Sequence, residues 1–183
     1  MRVLYLGLSG VVHPSATTYA LVRGRSLWRD GHVKYEAVPW LAQTLACWPD
    51  VKIVLTSTAP WKHGLPAVLE RLGMLAERVI GFTYQDLTTK PVRLVRMGSG
   101  ASRWSSFSKD DYWRMNKSHI VLAHVDWLKP QAWIAVDDES ILWPRSLANH
   151  VCIVDGCKGL ADPAEQDRLL TYLQMNFGPG GQR

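Results

Sequence analysis

The sequence predicts an α/β fold with a central, mainly parallel sheet of five strands. Five short apolar runs indicate buried strands, and segments with a periodic apolar face, typical of helices, separate most of them. Strands that alternate with helices favour right-handed crossovers and a parallel sheet. Polar residues follow three of the apolar runs, as expected where ligands bind beyond the carboxyl ends of such strands.

The N-terminal half begins with a strand over residues 2–8, which is apolar at nearly every position. Such a run is typical of a strand that is covered on both faces. Residues 13–35 are polar and rich in turn formers, and their apolar pieces at 19–22 and 32–35 predict a β-hairpin flap. The next predicted elements are a helix over 37–48, a strand over 51–56, a helix over 64–74 and a short strand over 77–81.

The middle of the chain, residues 83–109, has no regular pattern, and its glycine and serine clusters predict a mobile segment. Residues 98–116 also mix cations with aromatic side chains, a composition suited to stacking on nucleotides or single strands. Asp110 or Asp111 is then predicted to cap a helix that ends near Leu128.

The C-terminal part contains two predicted strands, over residues 132–136 and 150–154, and a last helix. Asp162 has the character of an N-cap, with proline next in the chain and Glu165 three residues on, which is typical of a helix start. The helix is predicted to end near Phe177. We expect one domain over residues 1–177 and a disordered tail over 178–183.

The composition is that of a globular protein. Its net charge permits an anionic partner but does not require one. The net charge is +5, and the basic residues are scattered rather than clustered in a dense run. No apolar stretch approaches the roughly 20 residues of a membrane helix, and the N-terminus lacks the features of a signal peptide. The three cysteines form no CxxC pair, which argues against a disulfide framework or a zinc site. We expect reduced, mostly buried thiols and a cytoplasmic protein.

Three polar clusters end the first, second and fourth predicted strands of the sheet. They are Gly7–Gly10, Thr56–Thr58 and Asp137–Glu139. Because the carboxyl ends of parallel strands meet at one edge of the sheet, the three clusters are predicted to share a crevice.

The stretches VLYLGLSGVVHPS, IVLTSTAPW and WIAVDDES, in this order, resemble the haloacid dehalogenase-like (HAD-like) phosphohydrolase superfamily. The likeness spans about residues 2–160 and is closest to small bacterial members whose first motif continues into Gly-Val-Leu-His-Pro. It implies a Rossmann-like, three-layer sandwich with a small flap or cap insertion after the first strand.

The resemblance also implies that the first strand ends in an Asp-x-Asp pair, a nucleophile that forms a phosphoaspartate and a general acid/base. Those positions are Gly7 and Ser9 here. Glycine has no side chain, and serine is not acidic near neutral pH, so neither residue can do the work of the aspartate it replaces. Gly10 fits the tight turn whose backbone approaches phosphate in the family.

The second motif calls for a hydroxyl that donates to the transferring phosphate. Thr56 is the natural match, and Ser57 is its rival. The alternative is a hydroxyl that caps a turn.

The third motif requires a cation near the nucleophile, and Lys117 is the first candidate. It shares the apolar face of its predicted helix with Ile120, Val121 and His124, where a charge is costly unless it is paired. The alternative is a lysine whose stem passes along the core to solvent. Lys90 and Arg114 are weaker candidates.

The fourth motif is the acidic pair Asp137 and Asp138, which in the family binds magnesium. Without a carboxylate at position 7, magnesium binding is expected to be weak or absent. We expect these acids to pair with Lys117 or to cap a turn instead.

These substitutions predict a pseudo-phosphatase that has a binding or regulatory role. It is expected to retain a phosphate or anion pocket, whose partner is a phosphate-bearing small molecule or a nucleic acid. One alternative is an active phosphohydrolase in which Ser9, His13 or Asp137 replaces the lost acids. Another is an accessory protein that binds nucleic acid or a protein through basic and aromatic residues. The candidate contacts for that role are Arg103, Trp104, Lys109 and Arg114.

Overall fold

The computed structural model describes residues 1–15, 19–22, 25–28, 32–83 and 116–181. The strands in these ranges are β1 Arg2–Leu6, β2 Tyr19–Val22, β3 Arg25–Trp28, β4 Val51–Leu55, β5 Val79–Phe82, β6 Ala132–Asp137 and β7 Val151–Ile153. The α-helices are α1 Val38–Leu45, α2 Ala59–His63, α3 Leu65–Leu72, α4 Lys117–Leu128 and α5 Pro163–Phe177.

Five of the strands form one sheet in the order β5-β4-β1-β6-β7, and every neighbouring pair in it is parallel. The chain runs from the central β1 outward through β4 to β5, and then crosses to β6 and β7 on the other side. The order therefore reverses at β1, and the crevice of such a sheet lies at the carboxyl end of this strand. The predicted α/β fold with its parallel five-stranded sheet is confirmed.

Helices cover both faces of the sheet because successive side chains of each strand point to opposite sides. Leu4 and Leu6 of β1 belong to a core cluster with buried residues of α1, α3 and α5. Val3 and Tyr5, which alternate with them, belong to a second cluster that includes Val121 of α4. Complete burial of leucines such as these stabilises the fold by about 2 kcal/mol each.

The predicted hairpin after β1 is present, but its second strand differs from the prediction. Tyr19–Val22 pairs antiparallel with Arg25–Trp28 and not with residues 32–35. Residues 34–37 instead form the turn that enters α1, and Tyr35 has a φ of 64°, which no strand accommodates. The alternating pattern at 32–35 therefore gave the wrong secondary structure.

The other elements follow the predictions, with shifted ends and one addition. α2 was not predicted, because five residues are too few to show a helical period. α4 is described from Lys117, and the predicted caps Asp110 and Asp111 lie outside the described residues. α5 begins as predicted, with Asp162 accepting a hydrogen bond from the Ala164 amide over 2.8 Å.

Residues 178–181, part of the tail predicted to be disordered, lie against the residues that follow α1. Trp48 Nε1 donates to the Gly178 carbonyl over 3.0 Å, and the Gly181 amide donates to the Cys47 carbonyl over 3.0 Å. Two hydrogen bonds therefore join the residues after α5 to residues outside that helix.

The three cysteines are free thiols, but the expectation that they are mostly buried is wrong. Cys152 is buried in β7, whereas Cys47 and Cys157 are exposed. No helix among the described residues is long and apolar enough to cross a membrane.

Candidate functional site

The three polar clusters meet at the carboxyl edge of the sheet. Leu6 of β1 pairs with Leu55 on one side and with Val136 on the other. The next residue of each strand, which is Gly7, Thr56 or Asp137, therefore lies level with the other two. Backbone bonds fix this alignment: the Thr56 amide donates to the Leu6 carbonyl over 2.9 Å, and the Gly7 amide donates to the Val136 carbonyl over 3.1 Å.

Gly7 occupies a position that has no room for a side chain. A Cβ at this position would lie 2.9 Å from Val11 Cγ2 and 3.1 Å from the Val136 carbonyl oxygen. Both distances are shorter than an ordinary van der Waals contact, and the buried valine is stiff at χ1. Val11 and the Val136 carbonyl group therefore fill the space that a nucleophilic side chain would need.

Hydrogen bonds within the turn after Gly7 and from a second part of the chain stabilise this turn. The Leu8 carbonyl accepts from the amides of Val11 and Val12, at 3.2 and 2.9 Å. From the loop after β7, the Leu160 amide donates to the Val11 carbonyl over 2.7 Å. Ser9, at the tip of this turn, is exposed.

Asp138 presses its carboxyl group between two glycines. A Cβ at Gly10 would overlap this carboxyl group, and one at Gly156 would lie 2.7 Å from Asp138 Oδ2. Gly10 also has a φ of +75°, so both its conformation and its neighbour require glycine there. Burial and the nearby charge of Asp137 raise the pKa of Asp138 to about 6, although Lys117 opposes the shift.

Asp137 accepts three hydrogen bonds from protein donors. Lys117 Nζ lies 2.5 Å from Oδ1, and Trp143 Nε1 donates to Oδ2 over 2.8 Å. The Asp138 amide also donates to Oδ1 over 3.0 Å. Burial alone would lower the pKa of Lys117, but Asp137, Glu139 and Asp138 outweigh it and hold the pKa above its usual value. The pairing of a fourth-motif acid with Lys117 thus exists in the structure.

These residues do not fit a magnesium ion. Magnesium takes near-octahedral oxygen ligands, and both oxygens of Asp137 already accept from nitrogen donors. Position 7 supplies no carboxylate, and a lysine ammonium lies where a second cation would be repelled. In the part of the chain that the structure describes, no group of three His, Cys, Asp or Glu side chains is placed to hold a metal.

The two candidate hydroxyls of the second motif differ in environment. Thr56 is buried, and its Oγ1 has no hydrogen-bond partner among the described residues. Ser57 Oγ accepts from the Ala59 amide over 3.1 Å, as a turn hydroxyl does. Ser57 also lines the neighbouring cavity, which Thr56 does not.

Beside the turn lies a cavity of about 230 Å³, referred to below as the cationic cavity. Among the described residues no carboxylate lines it, while lysine, arginine and histidine side chains and four residues with hydroxyl groups do. An anion would meet positive charge and hydrogen-bond donors there. The lining residues are Leu8, Ser9, His13, Lys34, Tyr35, Ser57, Thr58, Ala59, Lys62, His63 and Arg71.

His13 and Tyr35 form an aromatic contact at this cavity. Their ring centroids lie 5.0 Å apart, and the Arg71 guanidinium lies 5.9 Å from the centre of the Tyr35 ring. Burial and the charge of Lys34 lower the pKa of His13 to about 4, so this imidazole is neutral at pH 7.

The structure divides the predicted site residues into two groups. Gly7, Gly10, Thr56, Lys117, Asp137 and Asp138 surround the strand ends, whereas Ser9, Ser57 and His13 line the cationic cavity. Lys117 and Asp137 do not line that cavity. The candidates Lys90, Arg103, Trp104, Lys109 and Arg114, like most of the segment 98–116, lie outside the described residues.

Sequence reasoning missed five side chains of these groups: Lys34, Lys62, His63, Arg71 and Trp143. The cations come from separate elements, and no spacing in the sequence connects them. One available signal was the Lys62-His63 pair, which follows the second motif within seven residues. Trp143 follows the fourth-motif acids at a similar distance but gives no sign of its bond to Asp137.

Comparison with known protein families supports the HAD-like resemblance. A family model described as "HAD domain in Swiss Army Knife RNA repair proteins" matches residues 3–164. Neither the comparison with curated proteins nor that with solved structures gave a match.

Proposed function

Because the chain belongs to the family of HAD domains in Swiss Army Knife RNA repair proteins, we propose that it binds the phosphorylated end of a nucleic acid without hydrolysing it. The description of the family supports a nucleic-acid partner, and the net charge of +5 favours a polyanion. In this role the protein is a pseudo-phosphatase with a binding or regulatory function.

The closed space at Gly7 is the main support for the proposed loss of hydrolysis. A phosphoaspartate requires a carboxylate at the strand end, and here Val11 and the Val136 carbonyl occupy that space. The general acid/base position holds Ser9, which cannot protonate a leaving group near neutral pH. The covalent route of the family therefore lacks both of its reacting groups.

Phosphate binding is supported by the cationic cavity, which begins at the same turn. Ser9, Ser57 and Thr58 contribute hydroxyl groups to its lining. Lys34 adds a positive charge, which together with burial lowers the pKa of His13. Charge-assisted hydrogen bonds to phosphate oxygens are the strong ones, so such a set of donors favours an anion.

A relocated catalytic group has less support. His13 has a pKa of about 4 and is a weak base at neutral pH. Asp137 is buried and accepts from Lys117 and Trp143, and its ion pair with Lys117 makes it a poor general base. Ser9 shares the cavity with His13, which is the weak base just described.

The proposal extends to the remaining partners and to location. Arg103, Trp104, Lys109 and Arg114 are proposed to contact the nucleic acid beyond its phosphorylated end. Free thiols fit a reducing, cytoplasmic compartment.

A binding measurement tests the proposal. Fluorescence anisotropy compares a labelled single-stranded oligoribonucleotide that ends in phosphate with the same strand ending in hydroxyl. We expect the terminal phosphate to tighten binding about tenfold, and the recovered strand to keep its phosphate. The variant Lys34→Ala should lose most of this gain, while Arg145→Ala, an exposed cation elsewhere on the molecule, should keep it. Equal affinities for the two strands would overturn the proposal.

A further inference from the structure

A second cavity, of about 310 Å³, lies beside β7, the last strand of the sheet. It is referred to below as the edge cavity, and it shares no lining residue with the cationic cavity. Residues of the loop after β6, of β7 and of α5 line it. Arg168 and Tyr172 are four residues apart on α5, so their side chains are neighbours on one face of that helix. A ligand in the edge cavity would therefore contact three parts of the chain at once.

The edge cavity presents aromatic and aliphatic side chains together. Trp143 and Tyr172 contribute aromatic rings, and Val151 and Ile153 contribute aliphatic side chains. Aromatic side chains bind the unpaired bases of single strands by stacking, with little dependence on the sequence of the strand. This part of the lining therefore suits a nucleobase.

Hydrogen bonds to the rest of the fold hold both aromatic side chains in place. The Tyr172 hydroxyl donates to the Ala148 carbonyl over 2.9 Å, and Trp143 Nε1 donates to Asp137 Oδ2 over 2.8 Å. Because these side chains are ordered before a ligand arrives, its binding costs less conformational entropy.

The charge of the edge cavity is positive but small. Arg145 and Arg168 line the cavity, and no described lining residue is acidic. Arg168 Nη1 lies 2.8 Å from Glu165 Oε2, so the charge of Arg168 is largely compensated. Arg145 is exposed and has no ion pair among the described residues. About one net positive charge matches a phosphodiester, with its single negative charge, better than a terminal phosphate of roughly −1.5 to −2.

From these observations we infer that the edge cavity binds one internal nucleotide of a single-stranded nucleic acid. The base of this nucleotide contacts Trp143 and Tyr172, and its phosphodiester contacts Arg145. The inference rests on the proposed function, because it takes the partner to be the same strand, and it adds a contact away from the phosphorylated end.

The contact with the base is tested by fluorescence anisotropy on labelled strands that end in hydroxyl. The probes are an oligoadenylate and an abasic strand of the same length, which has the phosphodiesters without the bases. Tyr172→Leu should weaken binding of the oligoadenylate about fivefold, because a base loses a stacking surface. Binding of the abasic strand should stay within about twofold, which also shows that the variant is folded.

The contact with the phosphodiester is tested by Arg145→Ala on the same two strands. We expect both to bind more weakly at low salt, and the slope of log K against log salt to fall in magnitude by about 0.7, the value for one phosphate of a single strand. Lys158→Ala is the matched control, because it removes one exposed cation that lines neither cavity. It should leave both affinities within about twofold and the slope unchanged.

The outcomes separate this inference from the proposed function. Unchanged binding of the oligoadenylate in Tyr172→Leu, or an unchanged salt slope in Arg145→Ala, would overturn the inference. The proposed function would still stand if a terminal phosphate tightens binding in the unmodified protein, and both variants should retain that gain. Equal affinities for strands ending in phosphate and in hydroxyl would overturn the proposed function alone. If no strand binds, both fail.

Discussion

Gly7 differs from a catalytic aspartate in more than its missing side chain. The position is closed by Val11 and the Val136 carbonyl, so the surrounding residues are packed for glycine. We therefore expect that an acid restored at this point does not return the molecule to an active state.

The variant Gly7→Asp, alone or with Ser9→Asp, should lack phosphatase activity. We expect it to lower the free energy of unfolding by roughly 1–3 kcal/mol, the usual cost of overpacking a core. Urea unfolding of Gly7→Asp, Val11→Ala and their combination provides the measurement. The losses should be less than additive, because Val11→Ala makes room for the new side chain. Additive losses would show that Val11 does not close the position.

The ion pair of Lys117 and Asp137 leads to a second prediction. Asp137 is 1% exposed and Lys117 is 16% exposed, so removal of the cation leaves a buried carboxylate without its partner. Lys117→Met should lower the free energy of unfolding by about 3 kcal/mol. The control Lys158→Met removes a lysine that is 56% exposed from a 3.4 Å pair with Asp162, and should cost less than about 1 kcal/mol. Similar losses in both variants, measured by urea unfolding, would contradict a buried structural role for the pair.

Single residues also show what the sequence could and could not predict about the site. The positions of Gly7, Thr56 and Asp137 follow from strand ends alone, because parallel strands bring such residues together. The bond from Trp143 to Asp137 and the approach of Lys62 and Arg71 depend on how loops and short helices pack. No local pattern specifies those contacts.

At the scale of elements, α5 shows a helix whose start is determined by local chemistry. Asp162 accepts from the Ala164 amide, and Pro163 begins the helix, as its sequence predicts. The hairpin shows the opposite case. Residues 32–35 alternate like a strand, but the turn at Tyr35, with its positive φ, directs the chain into α1. Tertiary contacts therefore outweigh a short pattern there.

Loss of the cap should weaken α5 measurably. Asp162→Ala is expected to lower the free energy of unfolding by about 1 kcal/mol, because an amide of the first turn loses its acceptor. Asp167→Ala, inside the same helix, should be close to neutral, since alanine is the better helix former there. Thermal or urea unfolding of the two variants checks this. Equal effects would mean that the cap contributes nothing beyond helix propensity.

At the scale of the whole molecule, two buried histidines make stability depend on pH. Burial is the main cause that lowers the pKa of His13 and of His124 to about 4, from a value of 6.5. As the pH falls from 6.5 towards 4, the unfolded chain binds protons at these residues and the folded chain does not. The stability present above pH 6.5 is therefore lost over this range, by up to about 3 kcal/mol for each histidine.

Asp138 acts in the opposite direction. Its pKa is raised from 3.8 to about 6, so it contributes stability that is fully present below pH 3.8 and is lost as the pH rises through 6. Two histidines outweigh one aspartate, and we expect a net loss of stability on acidification from neutral pH to about pH 4. Urea unfolding across this range provides the measurement, and His124→Gln should flatten the curve. A protein that becomes more stable on acidification would contradict this account.

The central claim is that the fold retains a phosphate site and has lost the chemistry of phosphate transfer. The most direct measurement is phosphate release from a terminally phosphorylated oligoribonucleotide, with magnesium and with the protein in excess over the bound strand. The account predicts a bound strand and no release above the protein-free blank. Release by the unmodified protein that disappears in Ser9→Ala or Asp138→Asn would show that the site turns over substrate, and would contradict the claim.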